Sequence, residues 1–128
     1  MDTLEFTSSW RGSTRIWRPK RDDPGPWPFG KLRWGPGRME IQALGTKMSF
    51  RPEQVVEMRF YQWPVPTLKV VVRKGNGYAL VSFSAIRGHR IRDIVATCGF
   101  QITKYCRWNL GGDVLKDEKT YRLCNVPD

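Results

Sequence analysis

The sequence predicts a mainly β domain with one helix near its carboxy-terminal end, and three features support this prediction. From Phe29 onward, apolar and polar residues alternate for about fifty residues, which is typical of strands with one buried face. Two turns containing glycine, at 35–37 and 75–77, each separate a pair of alternating runs. After Ser84 the apolar residues follow the three-and-four spacing of a helix face.

Length and composition restrict the classes of protein to consider. The chain has 128 residues, of which 40% are hydrophobic, and a formal net charge of +10. This size suits one domain with one core, and the hydrophobic content excludes disorder throughout. No apolar run approaches the ~20 residues of a membrane-spanning helix, and residues 1–5 resemble neither a signal peptide nor a transit peptide. We therefore expect a cytoplasmic protein without a transmembrane segment.

The first 26 residues predict an extended arm that is separate from the domain. Trp10 and Trp17 lie among arginines, and a short strand is possible at 14–17. Three prolines at positions 24, 26 and 28 are incompatible with a sheet centre or a helix interior, so the arm is expected to end in a loop.

Six strands are predicted in the domain that follows, at residues 27–102. They lie at 31–34, 38–43, 47–51, 54–61, 68–73 and 78–83. The first two strands and the last two form hairpins.

One helix is predicted after the strands. Its apolar face runs from Arg87 to Cys98, and Gly99 stops it in a left-handed conformation. Ser84 can cap its start, although Gly88 near the first turn favours a later one. Residues 103–128 are predicted to be a loosely held tail, and a last short strand is possible at 101–106.

This order of elements resembles a pleckstrin-homology-like (PH-like) domain, in which two antiparallel sheets of six or seven strands are capped by a helix. Bacterial members are similar in having Pro28-Phe29 before the first hairpin and a helix that ends in 98–100. The resemblance covers residues 27–102. A seventh strand would come from the arm near Ile16 or from 101–106. A small oligonucleotide-binding barrel is the alternative, but its helix normally lies between the third and fourth strands.

Strand alternation predicts a basic outer face on the sheet. If the first four strands of the domain are adjacent, six bases point outward, with only Glu40 and Glu57 to offset them. The six are Lys31, Arg33, Arg38, Lys47, Arg51 and Arg59. Such a face attracts an acidic protein, an anionic membrane surface or nucleic-acid phosphates. Polar residues facing solvent, without a ligand, explain the same pattern, because Lys and Arg also discourage aggregation of strand edges.

The PH-like resemblance adds expectations about the ligand. Members that bind inositol phospholipids use a basic first hairpin, and Lys31, Arg33 and Arg38 flank that hairpin here. The turn at 35–37 is short and uncharged, unlike the longer basic loop of lipid-binding members. Bacterial members resemble protein-interaction modules, which favours a partner protein or a second copy of the chain.

The remaining candidate residues are tryptophans, cysteines and one histidine. Trp10, Trp17 and Trp27 are predicted to fasten the arm across the domain or onto a second subunit, and Trp next to Arg also occurs in proteins that stack single-stranded nucleic acids. The three cysteines, 98, 106 and 124, are too widely spaced for zinc, so we expect free thiols and no metal or cofactor. His89 has no catalytic partner in sequence. The sequence therefore favours a non-enzymatic binding module, with nucleic-acid binding as the alternative.

Overall fold

The computed structural model describes residues 6–18, 21–75 and 77–108, and it forms a mainly β fold with one α-helix. The strands are β1 (Ser8–Arg18), β2 (Arg21–Gly35), β3 (Arg38–Ala43), β4 (Thr46–Phe50), β5 (Val55–Trp63), β6 (Thr67–Lys74), β7 (Gly77–Ser84) and β8 (Lys104–Trp108). The helix α1 spans Ile91–Thr97, and short 3-10 turns lie at Pro52–Gln54 and Gly88–Arg90.

The eight strands form one open sheet in the order β4-β3-β2-β1-β7-β6-β5-β8. Neighbouring strands are antiparallel except β5 and β8, which are parallel. The chain thus runs from β1 out to the β4 edge, crosses to β5, and returns through β6 and β7 to the other side of β1.

One core lies on the inner face of this sheet. Phe50 of β4 and Phe60 of β5 are both fully buried in it, although their strands lie near opposite ends of the sheet. The sheet must therefore curve around a single core, as strand twist favours. Across the gap between the two ends, Lys74 Nζ donates a hydrogen bond to the Ser49 carbonyl at 2.7 Å.

The helix closes one end of this core. Ile91, Ile94 and Val95 are its buried residues. Just beyond it, the Phe100 ring packs edge-on against Phe50, with centroids 5.6 Å apart. The three-and-four spacing of the sequence therefore predicted the buried face of the helix. The α-helix begins at Ile91, since Ser84 still belongs to β7 and the 3-10 turn lies between them.

The strand count exceeds the six or seven predicted, because both candidates for the seventh strand are in the sheet. Ile16 is fully buried in β1, which lies between β2 and β7. Residues 104–108 form β8, while residues 109–128 of the predicted tail lie outside the described residues. The boundary predicted at residue 26 falls within β2, so residues 8–18 are part of the sheet and not a separate arm.

The loop predicted from three prolines is wrong, since Pro24, Pro26 and Pro28 lie within β2. The reason is that β3 pairs only with residues 31–35 of β2, which leaves the earlier part of the strand with β1 as its one neighbour. Residues 26–29 have no paired partner at all in that register. Proline lacks a backbone N–H, and it is tolerated where a strand forms no hydrogen bonds to a second neighbouring strand.

Val56 also departs from the predicted alternation. It was expected to point inward with Met58 and Phe60, but it is 49% exposed, whereas the other two are buried. The pairing of β5 with β6 shifts register between Val55 and Glu57. This β-bulge turns Val56 away from the core.

Candidate functional site

The six bases predicted on one outer face do not form one cluster. Arg59 is far from the others along the sheet, because β5 pairs with β6 and β8 and not with β4. Its Nε lies 2.5 Å from Glu57 Oε2, so its charge is matched locally. Arg51 follows β4 as an exposed residue.

Two further bases of the set are occupied by the chain itself. The Phe6 ring lies between the guanidinium groups of Arg33 and Arg38, at 4.7 and 4.6 Å from its centroid. Arg33 also pairs with the buried carboxylate of Glu40 at 3.1 Å. The cation–π contacts thus hold both guanidinium groups on the Phe6 ring, and the Glu40 carboxylate neutralises Arg33.

Lys31 and Lys47 remain, and the sheet register aligns them with an arginine that the sequence prediction missed. Arg11 of β1 is directly opposite Lys31, Lys31 is opposite Gln42, and Gln42 is opposite Lys47. We call these four residues the basic row. Directly opposite residues share a face of a sheet, and three strand spacings give the row a length of about 14 Å.

The charges of the basic row have no carboxylate partner within the described part of the chain. No ion pair of the described residues involves Arg11, Lys31 or Lys47. Like charges directly opposite in a sheet repel. The row is therefore an electrostatically unsatisfied surface suited to an anion.

Of the three arm tryptophans, two are anchored in the fold. The Trp10 ring packs on Phe83 of the core, with centroids 5.6 Å apart. Trp17 is 5% exposed and forms a second, outer cluster with Val71 and Leu80. These contacts hold residues 8–18 against the rest of the sheet, whereas Trp27 is 68% exposed.

Glycines determine where Trp27 projects. The pairing of β1 with β2 passes from Gly12–Gly30 directly to Thr14–Gly25, so residues 26–29 form a bulge whose two ends touch. A Cβ on Gly30 would lie 2.5 Å from the Gly12 carbonyl oxygen and 2.6 Å from that of Gly25. Only glycine permits this approach. The bulge, 26–29, therefore displays Trp27 outside the sheet.

A groove of about 620 Å³ lies beside this bulge, and we call it the arginine groove. Its walls come from β1, the bulge and the segment between β7 and α1. They are Trp10, Arg11, Trp27, Ala85, Ile86, Arg87 and Arg90. Arg90 lies over the Trp10 ring at 5.7 Å from its centroid. Arg11 lines the groove and is also the first residue of the basic row, so the two surfaces share one residue.

A second depression of about 510 Å³ lies on the other side of Trp27 and Ile86, and we call it the apolar cleft. Its walls add residues of the β5–β6 loop, and none of its lining residues is charged. They are Ser13, Trp27, Pro64, Val65, Thr67, Ser84, Ala85 and Ile86. Trp27 and Ile86 thus form a ridge with arginines on one side and an apolar surface on the other.

Burial and hydrogen bonding shift the pKa values of two of the described side chains. Burial raises the pKa of the Cys98 thiol, and the Arg15 guanidinium, hydrogen-bonded to Asp22, lowers the pKa of that carboxyl. Cys106 is a half-buried free thiol, whereas Cys124 and the His89 side chain lie outside the described part. The described residues contain no cluster of three metal-ligating side chains.

No helix among the described residues is long and apolar enough to cross a bilayer. No protein-family model matches the chain, and comparisons with curated proteins and with solved structures gave no match.

Proposed function

We propose that this protein is a non-catalytic binding module that recognises an acidic partner protein through the basic row. The observation that supports this function best is the alignment of Arg11, Lys31 and Lys47 without a matching carboxylate. Solubility alone does not favour Arg11 directly opposite Lys31, since the two like charges repel. An acidic surface that spans the row would remove this repulsion.

Nucleic-acid binding is the second candidate, and one observation favours it. Trp27 is exposed in the same groove as Arg11, so one base can stack on the indole while the guanidinium contacts a phosphate. Against this, Trp10 and Trp17 are packed into the fold and offer no further stacking platforms. We therefore rank the acidic protein first.

We also infer that the fold is a PH-like, partly open barrel. The meander from β1 to β4, its return through β5 to β7, the core shared by both ends, and the helix after β7 support this inference. The parallel strand β8, which follows the helix, would be an addition to that plan.

The function is tested with two anionic probes of similar length, fluorescein-labelled polyglutamate of 20 residues and a single-stranded 20-nucleotide oligonucleotide. Fluorescence anisotropy measures binding of the full chain from 20 to 300 mM salt. We expect polyglutamate to bind, with an affinity that falls as salt rises. Replacing all three bases of the row by Glu should weaken binding about 10- to 100-fold, from three surface ion pairs of up to about 1 kcal/mol each.

The matched control makes the same change in net charge at exposed bases outside the row, Arg92→Glu, Lys104→Glu and Arg107→Glu. It should leave most of the affinity intact, because the row and not the total charge provides the contact. Equal losses in the two variants would reject the row as the binding surface. Tight binding of the oligonucleotide with none of polyglutamate would replace the proposal with the second candidate.

A further inference from the structure

The arginine groove combines exposed apolar side chains with several arginines. This combination is typical of a surface that binds a ligand. Trp27 is 68% exposed and Ile86 is 88% exposed, so the ridge offers two large apolar side chains to solvent. Contiguous apolar surface of this kind marks an interaction site. Aromatic residues and arginines are also the side chains that most often dominate binding energy at protein interfaces.

Its dimensions suit side chains of a partner more than a whole domain. A volume of about 620 Å³ is within the range of ligand sites. Trp10, which we call the floor, lines the groove, and its ring is fixed by contacts with Phe83 and the Arg90 guanidinium. A fixed aromatic floor is preorganised to receive an apolar side chain. Binding would then cost less free energy, because the side chain in the site is already ordered.

The charges of the groove determine what must surround that apolar side chain. Arg11, Arg87 and Arg90 line it, and no lining residue is acidic. Guanidinium groups bind carboxylates through two parallel hydrogen bonds, which fixes geometry as well as charge. A segment with carboxylates on either side of an apolar residue therefore complements both the floor and the rim.

We propose that the arginine groove docks a short extended segment of the acidic partner, in which one large apolar residue is flanked by Asp or Glu. This inference rests on the proposed function and adds the position of the docking site and the chemistry of the recognised segment. The apolar cleft on the other side of the Trp27 and Ile86 ridge accepts a second apolar residue of the same segment. The aliphatic side chains of Val65 and Ala85 in its walls suit such a residue.

The test selects phage-displayed random dodecapeptides on the immobilised full chain and measures the affinity of the enriched peptides by anisotropy. We expect enriched sequences to combine a large apolar residue with two or more carboxylates. Trp27→Ala, Ile86→Ser and Arg87→Glu should each weaken their binding at least about 10-fold. These side chains are exposed, so the variants should fold normally, which circular dichroism verifies.

Two controls separate the groove from its surroundings. Phe29→Ala removes an exposed aromatic side chain from the same bulge, outside the residues that line the groove, and Arg107→Glu reverses a distant exposed charge. Each should change affinity less than about twofold. Enriched peptides without carboxylates, no enrichment, or equal effects of Trp27→Ala and Phe29→Ala would overturn the inference.

The design also distinguishes failure of the docking site from failure of the proposed function. Loss of peptide binding in Lys31→Glu/Lys47→Glu, but not in Trp27→Ala, would reject the groove and keep the basic row. The opposite pattern would keep the groove and reject the row. Vesicles with 30% phosphatidylserine and the 20-nucleotide oligonucleotide serve as further probes. Either probe would also overturn the inference if it binds more tightly than the peptides and if its binding depends on Trp27.

Discussion

Replacing Gly30 by Ala should strongly destabilise the protein, because the base of the bulge has no room for a methyl group. The added Cβ would lie 2.5 Å from the Gly12 carbonyl oxygen and 2.6 Å from that of Gly25. Both distances are about 1 Å shorter than a favourable contact. Both obstacles are backbone atoms, so no side-chain rotation relieves the overlap, and β1 and β2 must separate locally.

The expected loss is about 3 kcal/mol in the free energy of unfolding, at the upper end for overpacking. An unfolding entropy of about 2.1 cal/mol/K per residue, applied to the whole chain, converts this loss into a decrease of about 11 °C in Tm. Differential scanning calorimetry measures it. The displaced bulge should also weaken binding of the dodecapeptides, since Trp27 would no longer line the groove in the same position.

Two other glycines serve as controls because they separate steric overlap from backbone conformation. Gly77 has no positive φ and nothing within 4 Å of an added Cβ, so Gly77→Ala should leave Tm unchanged or slightly higher. Gly75 is equally open but has a φ of +58°, so Gly75→Ala should cost about 1 kcal/mol. If Gly30→Ala melts within 2 °C of the unmodified chain, the explanation of the bulge by close backbone approach is refuted.

Three further predictions concern buried or paired polar groups. Thr14→Val should lower the free energy of unfolding by about 1 kcal/mol, because the buried hydroxyl donates a hydrogen bond to a backbone carbonyl at 2.6 Å. Urea unfolding measures this loss, and an unchanged midpoint would contradict it. Iodoacetamide should label Cys106 at least about 10-fold faster than Cys98, because burial raises the pKa of the Cys98 thiol. Peptide mapping measures the two labelling rates, and equal rates would contradict the burial of Cys98. Asp22→Asn should lower the free energy of unfolding by a few tenths of a kcal/mol at pH 7, since Arg15 lowers the pKa of Asp22 below its ordinary 3.8. That stability is present above pH 3.8 and is lost as the pH falls through the folded-state pKa, so an effect that does not decrease at all as the solution is acidified from pH 7 would contradict it.

Local patterns in the sequence predicted the local parts of the fold. The hairpins β2–β3 and β6–β7 have their turns at the predicted glycines, because turn chemistry and alternation act over a few residues. Pairing between distant strands was not predictable in this way. The assumption that β5 neighbours β4 failed, since the chain crosses over between them and no residue in that connection indicates which edge it will join.

The same limit explains which parts of the candidate site the sequence predicted. Lys31 and Lys47 were identified because alternation within one hairpin and the next strand places them outward. Arg11 was missed because the prolines suggested an arm, although Thr14 and Ile16 alternate with Arg15 as in a strand. The groove depends on the bulge meeting the segment after β7, which no local pattern encodes.

The central position of β1 connects the two surfaces on which the proposals rest. Successive residues of a strand point to opposite faces, so Trp10 packs on the core and forms the groove floor, while its neighbour Arg11 begins the basic row. Gly12, the next residue, pairs with Gly30 at the base of the bulge that carries Trp27, and its carbonyl oxygen lies against Gly30. Three consecutive residues therefore place the aromatic floor, the first charge and the projecting ridge relative to one another. A partner that engages both the groove and the row would therefore contact β1 at residues 10–12, which pair with β2 and directly precede the segment of β1 that pairs with β7.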